Sequence, residues 1–283
     1  MNTRAEGSFL FADLTLTRRL ERAEARSNAE FVETRARLFP DSGARWIEVA
    51  GAYAMYDGVT SPATQTFGLG LFAKVTPADM EQLETFFKEN GAPVFHEISP
   101  LADLSLLALL NERGYHPMEF TSVMFRPIQR DVHLTAARNP RIQVRLVSEE
   151  ERELYAQTAA KGWSEFRELA DQLPELMRIS AKTPGERAFL AELDGRAIAA
   201  GRLIICHGVA LLAGASTIPE ARNQGAQLAL LEGRLRAGAE AGCDIAMMGA
   251  MPGSASQRNA ERHGFRIAYT RIKWRLAQRG PDQ

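Results

Sequence analysis

Apolar residues recur with helical and strand periods that alternate along the whole chain. A helical pattern covers Arg18–Phe39, where Thr17 can cap the first turn and Pro40 ends the helix. Runs rich in β-formers follow at Arg45–Tyr56 and Thr64–Lys74. Alternation of helical and strand segments predicts a fold of the α/β class.

The rest of the first half continues the alternation. Thr76 is placed to cap a helix with Pro77 at its first position, and Asn90-Gly91 is placed to end it. A short strand, a Leu-rich helix and a second strand then complete this half: Val94–Ile98, Asp103–Arg113 and Glu119–Arg126.

A segment without a clear period separates this half from a second set of elements. We therefore predict a first domain over 1–130, a linker over 131–141 and a second domain over 142–283. In the second domain Ser148 and Glu151 form a predicted capping box for a helix to about Ala160. The turn Asp194-Gly195 between apolar runs predicts a hairpin. The other predicted elements are strands at Ile142–Val147, Val209–Ile218, Ile245–Ala250 and Phe265–Leu276, and helices at Ser164–Ser180, Ala226–Ala241 and Ser254–His263.

The two halves resemble each other, which predicts a duplicated unit. Phe120–Arg126 aligns with Tyr269–Arg275 at an offset of 149 residues. Gly114 aligns with Gly264 at an offset of 150, and Gly91 with Gly242 at 151. A constant order of elements with slowly drifting offsets is typical of an internal repeat with small insertions.

Composition narrows the function classes. The formal net charge of −1 does not favour a nucleic-acid surface, and no apolar run approaches a membrane span. Two cysteines, Cys206 and Cys243, suit neither a disulfide framework nor a metal motif, and the five histidines lack ligand spacing. The N-terminus lacks a signal-peptide pattern, so we expect a cytoplasmic protein. From the cysteine and histidine spacing we expect no metal. We expect a monomer or a homodimer.

One turn in the second half has the features of an anion site. The segment Arg222-Asn223-Gln224-Gly225-Ala226-Gln227 lies between a predicted strand and a predicted helix. The first turn of a helix has unpaired N–H groups and a positive partial charge, which suit a phosphate. Gly225 lets the backbone approach an anion closely, and Arg222 adds a permanent cation. We predict a pyrophosphate-binding turn here.

The order strand, phosphate turn, helix, strand, helix, strand over about Ile142–Leu276 resembles the GNAT superfamily of N-acyltransferases. The acyl-CoA motif of that family, Gln/Arg-x-x-Gly-x-Gly/Ala, is matched by Arg222 and Gly225 and departs at Gln227. The side chain of Gln227 could crowd the phosphate or donate to it. The run Asn259–Phe265 is similar to the second signature of the family. Through the internal repeat the resemblance implies two tandem GNAT-like domains of the α+β type, each a mixed, mostly antiparallel sheet flanked by helices.

The resemblance implies acetyl-CoA as cosubstrate and direct attack by an amine of a small molecule or peptide. It implies cofactor contacts by Ser216, Thr217, Ile218, Arg222, Asn223, Gln224, Gly225, Ala226, Gln227 and Asn259. The tyrosine that the family often uses as general acid is replaced by Ala260, so Tyr269 and Ser256 are the candidate catalytic residues. Glu165 and Glu168 are candidate bases. Tyr155, Trp163, Phe166 and Met177 are candidate walls of the acceptor site.

The first half lacks the corresponding turn. Its Lys74–Asp79 segment has no glycine, has Pro77 in place of one N–H donor, and carries Asp79 where a phosphate would lie. We therefore expect no acyl-CoA site in this half and a role in structure or in the acceptor cleft. A non-catalytic CoA-binding module and a purely structural tandem scaffold are the alternatives to an N-acetyltransferase.

Overall fold

The computed structural model describes residues 10–129, 134, 139–165 and 171–277. Most of the predicted linker lies outside these residues. The described part contains seven α-helices: α1 Leu14–Leu38, α2 Pro77–Glu89, α3 Ser105–Glu112, α4 Arg152–Gly162, α5 Leu173–Ser180, α6 Ala226–Glu240 and α7 Ala255–Arg262. Its eleven strands are β1 Arg45–Val49, β2 Ala52–Tyr56, β3 Gln65–Phe67, β4 Phe95–Ile98, β5 Tyr115–Pro127, β6 Ile142–Leu146, β7 Glu186–Leu193, β8 Arg196–Cys206, β9 Val209–Thr217, β10 Ile245–Ala250 and β11 Arg266–Leu276.

All eleven strands belong to one mixed sheet with the order β1-β2-β3-β4-β11-β5-β10-β9-β8-β7-β6. The two halves of the sequence therefore exchange their last strands. Strand β5 of the first half lies between β10 and β11, and β11 of the second half lies between β4 and β5. The predicted α/β class and tandem arrangement are confirmed, but the halves share one sheet instead of forming one each.

Helices cover both faces of the sheet. Leu16, Leu20 and Ala23 of α1 pack on residues of β5, β8, β9, β10 and β11, and α1 also contacts α5 and strands β1 to β3. Helices α6 and α7 pack on the opposite face of the second half, where Leu230 and Ala260 share a core with Met124. Helix α1 thus spans both halves and fixes them together.

Some predicted boundaries are wrong. Helix α1 begins at Leu14, because the Asp13 carboxylate accepts from the Leu16 N–H at 2.8 Å and takes the capping role expected of Thr17. Helix α4 begins at Arg152 without a side-chain cap, so the capping box predicted at Ser148 does not open it.

The predicted strand at 64–74 is also wrong in extent. Only Gln65–Phe67 pairs as a strand, because Gly68 and Gly70 turn the chain with φ values of 82° and 76°. The run Arg45–Tyr56 is a hairpin, β1–β2, that turns at Ala50-Gly51.

The pairing of the exchanged strands corrects the repeat alignment. Register shifts leave one extra residue in each strand, Met118 in β5 and Ala268 in β11, which are 150 residues apart. The 149-residue alignment of these strands is therefore wrong by one residue, since a slip of one places equivalent side chains on opposite faces. The 150-residue offset of Gly114 and Gly264 agrees with the bulges.

Candidate functional site

Strands β9 and β10 run parallel but separate along their length. They pair only over Val209–Leu211 and Ile245–Met247. Beyond these residues β9 remains paired with β8, and β10 remains paired with β5. A gap therefore opens in the sheet at the carboxyl ends of two parallel strands, which is where open α/β sheets bind ligands.

A β-bulge lies in β9 beside this gap. Ala200 of β8 pairs with Ser216 and Arg202 pairs with Ala213, so Gly201 faces two residues of β9. Gly214, one of the two, has a φ of 59°, a conformation that favours glycine at a bulge.

The bulge decides which way the last side chains of β9 point. The Ser216 hydroxyl donates to the Ala159 carbonyl of α4 at 3.0 Å, and Gly162 of α4 is essential there because a Cβ would lie 2.3 Å from that hydroxyl oxygen. Thr217 contacts the opposite helix layer, where its hydroxyl accepts from the Gln227 amide at 2.8 Å. The end of β9 is thus clamped between α4 and α6.

The predicted phosphate turn connects this clamped strand to α6. After a short 3-10 turn at Pro219–Ala221, Asn223 and Gly225 adopt left-handed conformations with φ values of 61° and 92°. Gly225 is the N-cap of α6 and supplies no side-chain cap. The N–H groups of the first turn therefore remain available to an anion.

Other residues of the turn fix its shape. The Asn139 side-chain amide donates to the Gln224 carbonyl at 3.0 Å, a contact that the sequence did not suggest. Ala226 is buried at the first position of α6. A Cβ at Gly225 would lie 3.8 Å from the Asn139 Cβ, so backbone conformation and not crowding is what requires glycine.

Arg222 forms an ion pair across the turn. Its Nη1 lies 2.9 Å from both carboxylate oxygens of Glu165, and both side chains are well exposed. Exposed pairs contribute about 0–1 kcal/mol, so a phosphate could compete for this guanidinium. Glu165, one of the two candidate bases, thus lies beside Arg222, while Glu168 lies outside the described residues.

Gln227, at the sixth position of the acyl-CoA motif, has a defined role. Its amide nitrogen donates to the Thr217 hydroxyl and links the first turn of α6 to the end of β9. The two expectations for this residue, that it crowds a phosphate or donates to it, stay predictions.

The backbone at the end of β9 is only partly free. The Ile218 N–H donates to the Ile198 carbonyl at 2.9 Å and is engaged with β8. Because backbone groups alternate sides along a strand, Ser216 shares this direction and Thr217 points its N–H and C=O groups to the gap. Of the three residues predicted to pair with the pantetheine arm, Thr217 has the suitable direction.

Helix α7 follows the gap and carries two further predicted residues. Ser254 caps the helix by accepting from the Gln257 N–H at 3.2 Å. Ser256 is exposed and Asn259 is half-buried. Ala260, where the resemblance implies a tyrosine, is buried in the same apolar cluster as Ile218 and Ala226, so α7 lies on the same face of the sheet as α6.

Tyr269 lies elsewhere. Its strand β11 is separated from β10 by β5, and its buried hydroxyl donates to the Glu21 carboxylate of α1 at 2.8 Å. The structure therefore does not bring Tyr269 together with the phosphate turn.

Of the four residues predicted to form walls of the acceptor site, the structure brings Tyr155 and Met177 together. Tyr155 is fully buried, and Met177 packs against it and against Leu176 and Ile179. Trp163 follows the last residue of α4. Phe166 lies outside the described residues. Helix α1 and Ala63 of the first half pack on α5. Sequence reasoning missed this contact, because no local pattern in α5 indicates it.

In the first half, the N-terminus of the equivalent helix, α2, is capped by side chains of its own first turn. The Thr76 hydroxyl accepts from the Asp79 N–H at 3.2 Å, and the Asp79 carboxylate accepts from the Thr76 N–H at 2.8 Å. This capping box uses donors that a phosphate would need.

Two negative observations concern the described residues. They contain no helix whose length and apolar character would let it cross a bilayer. They also contain no group of three or more His, Cys, Asp or Glu side chains arranged to hold a metal ion.

Comparison with known proteins identifies the fold. No protein-family model matches the sequence, and no curated protein matches it. Among solved structures, a GCN5-related N-acetyltransferase from Kribbella flavida is 16% identical with a TM-score of 0.64, over 92% of this chain and 96% of that one. A tandem GNAT protein from the clavulanic acid biosynthesis pathway is 14% identical with a TM-score of 0.51, over 97% and 98%. The chain therefore has the tandem GNAT fold.

Proposed function

We propose that this protein transfers an acetyl group from acetyl-CoA to an amine by direct attack. The observation that carries the proposal is the divergence of β9 from β10 after Leu211, with the glycine-capped start of α6 at the open end. A strand gap that leads to a free helix N-terminus suits a long ligand with a pyrophosphate at one end.

The residues present fit such a ligand. Gly225 leaves the start of α6 without a side-chain cap, and Arg222 supplies a forked cation whose present partner, Glu165, is an exposed one. Thr217 offers backbone groups to the gap. When bound, acetyl-CoA would supply the activated thioester, and a backbone N–H at the gap would polarise its carbonyl.

The acceptor would approach from the face covered by α1, α4 and α5. Ser216 and Ala159 bring α4 onto the end of β9 there. A primary ammonium must lose a proton before its nitrogen can attack, since its ordinary pKa is near 10. We infer a small-molecule or peptide amine as acceptor.

A specific observation supports a second candidate, a module that binds CoA without catalysis. Ala260 replaces the tyrosine at the family position and is buried, and the Tyr269 hydroxyl is bonded to Glu21. A protein that lost its general acid would keep the phosphate turn and the gap.

Ligand-induced thermal stabilisation tests the cofactor proposal. A ligand at 100 times its Kd stabilises a protein by about 2.7 kcal/mol, so millimolar acetyl-CoA should raise Tm measurably. The double variant Arg222→Ala, Gly225→Glu should abolish the shift, whereas Arg236→Ala, on the exposed face of α6, should retain it. An equal shift in the double variant would contradict the proposal.

Release of CoA thiol over a panel of amines then separates the two candidates. An N-acetyltransferase should release thiol with at least one amine and stop doing so in the double variant. Binding without release for every amine would favour the non-catalytic module.

A further inference from the structure

Arg234 of α6 is a buried arginine without a carboxylate partner among the described residues. Its side chain is 4% exposed. Nε donates to the Leu230 carbonyl of the same helix at 3.1 Å, and Nη1 lies 3.3 Å from the Arg202 carbonyl and 3.4 Å from the Ala213 carbonyl. Burial lowers the pKa of this guanidinium to about 10, which leaves it charged at neutral pH.

This arrangement differs from that of Arg271, which is also buried, and from that of the half-buried Arg202. Arg271 contacts three carboxylates and Arg202 contacts Glu186. A buried cation without a counter-charge destabilises the folded state by several kcal/mol, and an apolar side chain of similar volume would avoid that cost. The unpaired charge of Arg234 therefore calls for a role that an apolar residue could not perform.

The position of Arg234 suggests that role. Its guanidinium lies over Gly201, where a Cβ would be 3.2 Å from both Cζ and Nη1. Gly201 is the residue that faces the bulge of β9, and the two carbonyls near Nη1 belong to the residue pair at the edge of that bulge. Arg234 thus holds the bulge from the α6 side.

The bulge is also the part of β9 that borders the gap. Pairing with β10 ends at Leu211, and the bulge follows between Ala213 and Ser216. In the proposed reaction the amine nitrogen bonds to the thioester carbon and the carbon–sulfur bond breaks. Its electron pair goes to sulfur, which receives the proton lost by the amine. Negative charge therefore develops on the carbonyl oxygen and then on sulfur beside this bulge.

We propose that Arg234 is a positioning residue for this acyl transfer, which fixes the bulge and stabilises negative charge at the thioester. The inference rests on the proposed function. The guanidinium lies against the Arg202 and Ala213 carbonyls at the bulge, and a buried positive charge beside β9 would favour a thiolate over a thiol in the adjacent gap.

The ionisation of bound CoA tests this without an acceptor. We would titrate the ultraviolet absorbance of the thiolate of CoA bound to the wild type and to Arg234→Met, with Arg236→Met as the matched control on the same helix. The thiol pKa should rise by about one pH unit in Arg234→Met and stay unchanged in Arg236→Met. At pH values below the pKa of the new lysine amine, the thiol pKa in Arg234→Lys should be close to that in the wild type.

A second variant tests the inference if Arg234→Met does not fold. Gly201→Ala keeps the charge but pushes the guanidinium away from the bulge, because its Cβ would lie 3.2 Å from Nη1. It should raise the thiol pKa in the same direction. Equal thiol pKa values in the wild type and the folded variants would overturn the inference about Arg234 and would leave the proposed function intact. Failure of the wild type to bind CoA would instead overturn the proposed function.

Discussion

Thr121 and Arg271 face each other at the centre of the exchanged pair β5–β11. Each lies three residues beyond the bulged residue of its own strand, Met118 or Ala268, so a local two-fold axis passes through this pair. On one side of the sheet the Arg271 guanidinium belongs to a buried network, in which it contacts Glu21 and Glu24 of α1 and Glu97 of β4. The point of highest symmetry is thus also the main ionic contact between the halves.

Removal of this arginine should strongly destabilise the fold. Arg271→Met leaves Glu21, Glu24 and Glu97 without their shared cation, and a broken buried pair costs about 3–5 kcal/mol. The free energy of unfolding in urea measures the loss. Arg275→Met on the same strand should lose much less, and equal losses would contradict the assignment.

The same network makes stability depend on pH. Burial is the largest cause that raises the pKa of Glu21 to about 7, partly opposed by Arg271, while Glu24 and Glu97 raise it further. A carboxyl with a raised pKa in the folded state contributes most below its unfolded pKa of about 4.5, and the contribution is lost as pH rises through about 7. Between pH 5 and 8, the wild type should lose about 2 kcal/mol relative to Glu21→Gln, as measured by urea unfolding at each pH. A difference that does not change with pH would contradict the prediction.

Release of Arg222 should improve cofactor binding. Glu165→Gln removes the charge that holds the guanidinium, so the Kd for acetyl-CoA should fall by about two- to three-fold, in line with the small contribution of exposed pairs. Stability should change by less than about 0.5 kcal/mol. Calorimetric titration measures the Kd, and the Glu220→Gln variant, which removes an exposed pair with Lys161, is the control. Weaker binding in Glu165→Gln would show that Glu165 assists the ligand.

Gln227 should matter for stability more than for binding. Gln227→Ala removes the hydrogen bond to Thr217 and should cost about 1 kcal/mol, with little change in the Kd for acetyl-CoA. Thermal unfolding and titration of the same variant separate the two effects. If the Kd rises ten-fold while Tm is unchanged, the amide contacts the ligand instead.

Gly214 should be required at the bulge for its conformation. Gly214→Ala forces a left-handed alanine and places Cβ 3.4 Å from the Arg202 Nε, at a cost of about 1–2 kcal/mol. Gly242→Ala has the same kind of strain, with a φ of 78° and open space around its Cβ. Both variants should lose stability, but only Gly214→Ala should weaken acetyl-CoA binding. Equal effects on binding would mean that the bulge is not part of the site.

Local patterns predicted the conformation of the turn Arg222–Gln227 well, because its determinants lie within a few residues. Gly225 needs a left-handed φ, Arg222 precedes it, and the helix starts at Ala226 as expected. The hairpin at Asp194-Gly195 was predicted for the same reason, with φ values of 51° and 79° at its two residues.

Pairings between distant segments could not be predicted in this way. Nothing in Tyr115–Pro127 indicates that its neighbours are β10 and β11, since an apolar strand can pair with either half. The one-residue error in the repeat alignment has the same origin. The alignment matched Phe120 with Tyr269 by residue type, and residue type does not indicate where the bulges lie. The hydrogen bond of Tyr269 joins it to Glu21, 248 residues away in sequence, so no local pattern indicates it.

The exchange of β5 and β11 also sets an order of events during synthesis. The edge of β4 and one side of β5 receive their partner from β11, which is the last of the eleven described strands to be synthesised. The first half must therefore keep unpaired strand edges until β11 has been synthesised, a state that favours misassociation. Helix α1, which precedes β5 in the chain and packs on Val123 and Phe125, would cover a face of β5 before β11 arrives but would leave the backbone edges unpaired.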